Sequence, residues 1–169
     1  MKRGLLVLST IMIFSLPSNA QVLSSAYDLT LNALLSHSVP EISVVQAKKL
    51  KDVLWLDARE ENEFMVSHIA NAKFVGYDQF NIEALQSQPQ DQKVIVYCSV
   101  GYRSEKIAEK LIQAGYKDVS NLYGGIFDWV NQGNPVVDKE GKATENIHAY
   151  NKTWGVWLTR GNKVYDPKK

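Results

Sequence analysis

The sequence predicts an α/β fold of three layers, a parallel sheet with helices on both faces, and three observations carry that prediction. Strand and helix patterns alternate from Ile42 to Val137. The run Lys93-Val94-Ile95-Val96-Tyr97 is apolar on both faces, as a strand in the middle of a covered parallel sheet must be. Breakers close the helical patterns, Gly115 after Ala114 and Gly133-Asn134-Pro135 after Val130.

In chain order, a short helix is expected over Ala26 to Leu35 within a leading segment of residues 21–41, and Pro40 ends it. Ser43 opens a helix over Val44 to Leu50, and the apolar strand Val53 to Leu56 then runs into Asp57-Ala58-Arg59. A helix follows over Glu60 to Val66, a short strand over Lys73 to Val75, and a helix over Phe80 to Ser87. After the strand Lys93 to Tyr97, Cys98 stands at the strand's carboxyl end. A helix over Ser104 to Ala114 has Ser104 as its N-cap and Ile107, Ala108, Leu111 and Ile112 on one apolar face. A strand over Val119 to Leu122 and a helix over Ile126 to Val130 complete the domain, assigned to residues 42–137. Residues 138–169 form a tail, polar from Asp138 to Lys142 and aromatic from Tyr150 to Leu158, with Trp154 and Trp157. So few residues cannot stabilise a second domain, and the tail is expected to dock on the first.

With 169 residues, the chain has the length of one domain. Lys+Arg 19 against Asp+Glu 18 leaves no excess of cations for a nucleic-acid partner. One cysteine excludes an intramolecular disulfide and a zinc site of paired thiolates, and His37, His68 and His148 are scattered, so neither metal nor cofactor is expected. Residues 1–20 read as an export signal: Lys2 and Arg3, an apolar run from Gly4 to Leu16, Pro17, then Ser18-Asn19-Ala20 as a cleavage site before Gln21. The apolar run is shorter than the roughly 20 residues of a spanning helix, so the mature chain is expected to be periplasmic or secreted, without stable membrane insertion. In such an oxidising compartment a lone thiol is a liability unless it is buried or used.

The segment that carries chemistry is Cys98-Ser99-Val100-Gly101-Tyr102-Arg103-Ser104, between a central strand and a helix, where open α/β sheets bind ligands. Six residues from Cys98 to Arg103 can wrap so that backbone N–H groups converge on the sulfur, a nest that favours an anion. The positive end of the following helix and the Arg103 guanidinium act in the same direction, and thiolate is the nucleophilic form of cysteine. Gly101 suits a turn that a Cβ would hinder. A buried cysteine capping a core strand is the alternative reading.

Cys98, Gly101, Arg103 and Ser104 match the loop C-x-x-G-x-R-S, and in this the sequence resembles the rhodanese family of sulfurtransferases. Two further signatures agree: Asp57-Ala58-Arg59 followed by Glu63-Phe64 and His68-Ile69-Ala70-Asn71-Ala72, and Leu122-Tyr123-Gly124-Gly125-Ile126-Phe127-Asp128-Trp129. The resemblance covers residues 42–137 and implies a rhodanese-like three-layer domain with a five-stranded parallel sheet. Ser67 and Asn71 depart from it, standing where the family usually has glycine. The related phosphatases have one more residue between cysteine and arginine; the loop here is the tighter version, suited to a sulfur atom.

The activity this implies is transfer of sulfane sulfur from a donor such as thiosulfate to a thiophilic acceptor, cyanide or a thiol, by way of a Cys98 persulfide. The expected partners are that small donor and acceptor, with a protein thiol as a further one. Ser99 to Ser104 would stabilise the anionic persulfide through backbone N–H groups, with Ser99, Val100 and Tyr102 at the entrance. Arg103 would contact the donor anion or pin the loop through carbonyls. Arg59 would line the mouth and contact substrate, Asp57 would anchor a strand end, and His68 would satisfy backbone groups. A binding or sulfur-relay module with little turnover is the competing function, and a phosphatase or arsenate reductase a further one.

Overall fold

The computed structural model describes residues 21–22 and 24–166; the expected export signal over residues 1–20, with its cleavage after Ala20, lies outside the described residues. Five parallel strands form the central sheet: β1 (Glu41–Ile42), β2 (Leu54–Asp57), β3 (Lys73–Phe74), β4 (Lys93–Tyr97) and β5 (Asp118–Leu122). Their spatial order is β1-β5-β4-β2-β3, which puts β4 in the middle, Tyr97 level with Asp57 on one side and Val96 level with Asn121 on the other. Successive side chains of β4 point to opposite faces: Ile95 and Tyr97 enter one core, Val94 and Val96 the other. The first core is closed by helices α1 (Ser25–Leu34), α2 (Val44–Ala47) and α5 (Gly125–Asn131), while α4 (Tyr102–Gln113) closes the second. The three layers and five parallel strands agree with the sequence reading. Each fully buried aliphatic side chain in these layers contributes roughly 1.5–3 kcal/mol.

Several expected elements differ. The helix after Cys98 begins at Tyr102 with Gly101 as N-cap, not at Ser104. Gly101 has φ of +122°, a conformation open to glycine, so the chain turns there, and Ser104 falls inside the first turn. On α4, Ile107, Ala108 and Leu111 are buried as expected, but Ile112 is exposed. Glu105 is buried in its place on that side, its carboxylate accepting the backbone N–H groups of Ser36 and Ser38 at 3.1 Å each. The helix expected over Phe80 to Ser87 is a single 3-10 turn at Ile82–Leu85, because Phe80, Ile82 and Leu85 approach one core at a spacing that no α-helical face has. The helix from Val44 stops at Ala47, since Lys48, Lys49 and Leu50 are exposed and give it nothing to bury.

β1 was not expected as a strand; two residues pairing with Asn121 and Leu122 are too few to leave a pattern in sequence. β6 (Val136–Val137), at the end of the domain, forms a hairpin with β7 (Ala143–Thr144) of the tail, which also holds the parallel pair of β8 (Asn146–His148) and β9 (Asn162–Val164). The tail's Ile147, Ala149 and Leu158 belong to the same core as Tyr27 and Leu31 of α1, and Trp157 stacks on Tyr27 with ring centroids 5.2 Å apart. Leading helix, sheet and tail therefore share one core. No helix among the described residues is long and apolar enough to cross a membrane.

Candidate functional site

Cys98 follows β4 directly and lines a cavity of about 420 Å³ at the carboxyl end of the sheet. Three parts of the chain build its walls: Leu34 at the end of α1, Ser99, Val100, Tyr102 and Arg103 in the loop and first turn of α4, and Tyr150 and Trp154 in the tail. Glu60, Tyr77 and Asp78 complete the rim. Cys98 itself is 1% exposed, so a reactant must enter the cavity to reach its sulfur.

The loop is held in place from several directions. The Gly101 N–H donates to Cys98 Sγ at 3.1 Å, a bond that strengthens when sulfur carries negative charge. The Ser104 hydroxyl donates to Asn121 Oδ1 at 2.7 Å, and Asn121 Nδ2 donates to the Gly101 carbonyl at 3.0 Å, tying the turn to β5. From behind, the first turn of α5 donates the Ile126 N–H to the Cys98 carbonyl at 2.9 Å and the Phe127 N–H to the Ser99 carbonyl at 3.2 Å. Gly125 permits this approach: at φ +57° a Cβ there would lie 2.4 Å from the Cys98 carbonyl oxygen. That close contact explains a glycine in the third signature better than turn geometry alone.

Glu63, on helix α3 (Glu61–Val66), is the buried partner of the loop. Arg103 grips it with two bonds, Nη1 to Oε2 at 2.6 Å and Nη2 to Oε1 at 2.9 Å. The Ser99 hydroxyl donates to Glu63 Oε1 at 2.9 Å, and the Glu60 N–H donates to Oε2 at 3.0 Å. Burial works to raise the Glu63 pKa, but the Arg103 bonds and charge together with the Arg59 charge outweigh it and hold the carboxyl below its ordinary range. Burial likewise opposes the Arg103 charge, and Glu63 with Cys98 more than restores it. Over the guanidinium lies the ring of Tyr150, with its centroid 4.9 Å away. Arg103 thus clamps the loop through a carboxylate, neither pinning it through carbonyls nor presenting a free fork to an anion.

The reading of Arg59 as a contact at the mouth is corrected. Arg59 is 0% exposed and pairs with Asp57, Nη2 to Oδ2 at 2.6 Å, while Nη2 also donates to the Ser67 carbonyl at 2.6 Å. Asp57 accepts the Arg59 backbone N–H at 3.0 Å as well, so the pair braces the end of β2 from inside. Burial opposes the Arg59 charge, but Asp57 outweighs it and raises the pKa. His68 is bonded through Nδ1 to the Phe64 carbonyl at 3.1 Å and its backbone bridges to Val137, which places it in the structural turn. In that turn Asn71 takes the left-handed conformation, φ +63°, and Ser67 is extended, so neither departure from glycine disturbs the loop.

Among the described residues no group of three or more His, Cys, Asp or Glu side chains is arranged to hold a metal ion. Sequence reasoning quoted Glu63 without a role and missed Asn121, Glu60, Asp78 and the approach of Tyr150 and Trp154 to the site. For Glu63 a signal existed: Glu60-x-x-Glu63 has capping-box spacing, which puts the second carboxylate at the third position of a helix beside its own start. A polar Asn121 in a strand buried on both faces was another.

The family model described as rhodanese-like domain matches residues 43–132. Among curated relatives, a sulfurtransferase of Allochromatium vinosum is 36% identical over 91 residues, covering 54% of this chain and 84% of that protein. The thiosulfate sulfurtransferase GlpE of Coxiella burnetii is 26% identical over 96 residues, covering 57% of this chain and 89% of that protein. A tRNA uridine(34) hydroxylase of Listeria welshimeri is 38% identical over 81 residues, covering 45% of this chain; the chain spans only 25% of that protein's length. Among solved structures, a rhodanese-like domain protein from Staphylococcus aureus superposes with a TM-score of 0.52 at 28% identity, covering 59% of this chain and 98% of that one.

Proposed function

The chain belongs to the rhodanese-like domain family, and from that premise we propose that it is a sulfurtransferase working through a persulfide on Cys98. Relatives named sulfurtransferase and thiosulfate sulfurtransferase support the activity at the level of the family. The observation that carries the finer reading is the placement of Cys98 on the cavity with the Gly101 N–H at 3.1 Å from its sulfur, in a loop closed by Arg103 and Glu63.

In the first half-reaction the Cys98 thiolate attacks the outer sulfur of thiosulfate. The S–S bond of the donor breaks, sulfite leaves with its electron pair, and Cys98 carries a persulfide anion. In the second, an acceptor thiolate or cyanide attacks the outer sulfur of that persulfide. The Cys98 S–S bond breaks, the electron pair returns to Sγ, and a persulfide of the acceptor or thiocyanate departs. The preorganised Gly101 N–H favours the negative sulfur at each stage. Glu63 and Arg103 neutralise each other beside it and keep the loop in one shape.

The test is intact mass spectrometry before and after thiosulfate, with Cys98→Ser alongside. A gain of one sulfur atom, removed by cyanide and absent in Cys98→Ser, is the expected result. No gain on a free thiol that still reacts with an alkylating probe would overturn persulfide turnover and leave a binding module. Export of the mature chain, beginning at Gln21, belongs to the same proposal, and the mass of the protein recovered from the cell envelope reads it directly.

A further inference from the structure

The cavity above Cys98 is larger than a small sulfur donor alone fills. Its volume of about 420 Å³ falls in the range that holds an organic molecule. Four aromatic residues, Tyr77, Tyr102, Tyr150 and Trp154, are among those that line the cavity. The charged groups on the wall are Glu60, Asp78 and Arg103; Arg103 pairs with Glu63 at 2.6 Å and lies 3.9 Å from Glu60, so two carboxylates beyond Glu63 share no further cation of the wall. The rim is therefore acidic, with no unmatched cation lining the cavity among the described residues.

Two of the aromatic walls, Tyr150 and Trp154, lie beyond residue 132, where the match to the family model ends. The tail is nonetheless built to hold them there. His148 in β8 is buried; its Nδ1 accepts the Tyr150 N–H at 3.2 Å and its Nε2 lies 3.3 Å from Asp166 Oδ1. Asp166 in turn accepts from Asn62 Nδ2 on α3 at 2.7 Å, so the tail is fastened beside the helix that carries Glu63. Tyr150 sits at φ +61°, a left-handed conformation costly for a bulky side chain, and its ring covers the Arg103 guanidinium. Strain sustained at a cavity wall, in a segment anchored on both sides, points to a role in what the cavity admits.

We propose that the acceptor selected by this site is a small organic thiol with an apolar or aromatic body and a neutral or cationic tail, discriminated from anionic thiols by Glu60 and Asp78 and shaped by Tyr150 and Trp154. The proposal rests on the persulfide reading and specifies its second half-reaction. The thiol gives its proton to solvent, its sulfur attacks the outer sulfur of the Cys98 persulfide, and it leaves as an organic persulfide while Cys98 regains the electron pair. An aromatic body rests against the two tail rings, and a cationic group lies near the two carboxylates.

The experiment uses the whole protein loaded on Cys98 with thiosulfate, freed of excess donor, and mixed with 2-aminoethanethiol or with 3-mercaptopropionate at one pH. The ratio of the two transfer rates is measured in the parent and in Glu60→Gln/Asp78→Asn; intrinsic thiol reactivity cancels in the quotient. Two rim charges at contact-to-medium range, screened by salt, predict that the preference for the cation falls about fivefold in the double variant. Asp78→Asn alone, at an exposed position, serves if the double variant loads poorly and gives part of that fall. Trp154→Ala is expected to slow transfer to phenylmethanethiol more than transfer to methanethiol. A quotient unchanged in the charge variants, with loading intact, overturns the acceptor proposal alone. Absence of a loaded persulfide in the parent overturns the reading beneath it, and the mass spectrum separates the two results.

Discussion

Replacing Glu63 by Gln would remove the charge that holds the Cys98 loop while keeping the side chain's size. The carboxylate accepts two bonds from Arg103, one from Ser99 and one from the Glu60 N–H, at 2.6 to 3.0 Å. A glutamine offers a single acceptor oxygen and turns an NH₂ group toward donors, so at least one bond becomes a donor facing a donor. Removing one partner of a buried ion pair costs about 3–5 kcal/mol. Arg103 retains 13% side-chain exposure and stands 3.9 Å from Glu60, so the lower end applies, about 3 kcal/mol. Urea unfolding of the parent, Glu63→Gln, Arg103→Met and the double variant measures it, and a coupling of about 2 kcal/mol is expected between the two positions. The Glu63 carboxyl is held below its ordinary range, so its stabilisation is complete above the unfolded value and is lost as pH falls through the folded one. The gap between parent and Glu63→Gln should therefore be full at neutral pH and close in acid. Costs that add without coupling, or a gap that is constant into acid, would refute the account of Glu63 as the loop's charged anchor.

Two other substitutions test neighbouring parts of the same argument. Gly125→Ala places a methyl 2.4 Å from the Cys98 carbonyl oxygen and 2.6 Å from that of Ser99, so a loss on the order of 2–4 kcal/mol is expected, with slower persulfide loading; loading and unfolding midpoint both equal to the parent's would show that α5 does not brace the loop. Arg59→Met leaves the Asp57 carboxylate buried and unmatched, costing about 3–5 kcal/mol, with the KM for thiosulfate unchanged in the folded protein. A raised KM at unaltered stability would return Arg59 to the mouth.

The local pattern of the chain was enough to determine the layered α/β class, while the fifth strand, β1, was too short to leave a pattern of its own. Apolar residues on both faces of Lys93 to Tyr97 can be satisfied only between two layers, and the glycine and serine positions around Cys98 mark a strand-to-helix turn whichever way the rest of the chain folds. The shape of the Cys98 loop was legible for the same reason: its cysteine, glycine and arginine lie within six consecutive residues, where spacing in sequence is spacing in space. Arg59 and Arg103 were not distinguishable on that basis, because each is an arginine near a strand end and only the folded chain decides which carboxylate it meets. Burial beside Asp57 made one a brace inside the domain; the approach of Glu63 from α3 made the other a clamp on the loop. The cavity's character was further out of reach. Leu34 is far in the chain from Tyr150 and Trp154, and the three share one wall because α1 and the tail bury their apolar faces in the same core. Short-range periodicity reports which face of an element is buried; what that face is buried against, and hence what surrounds the Cys98 sulfur, is a long-range property that tertiary packing alone sets.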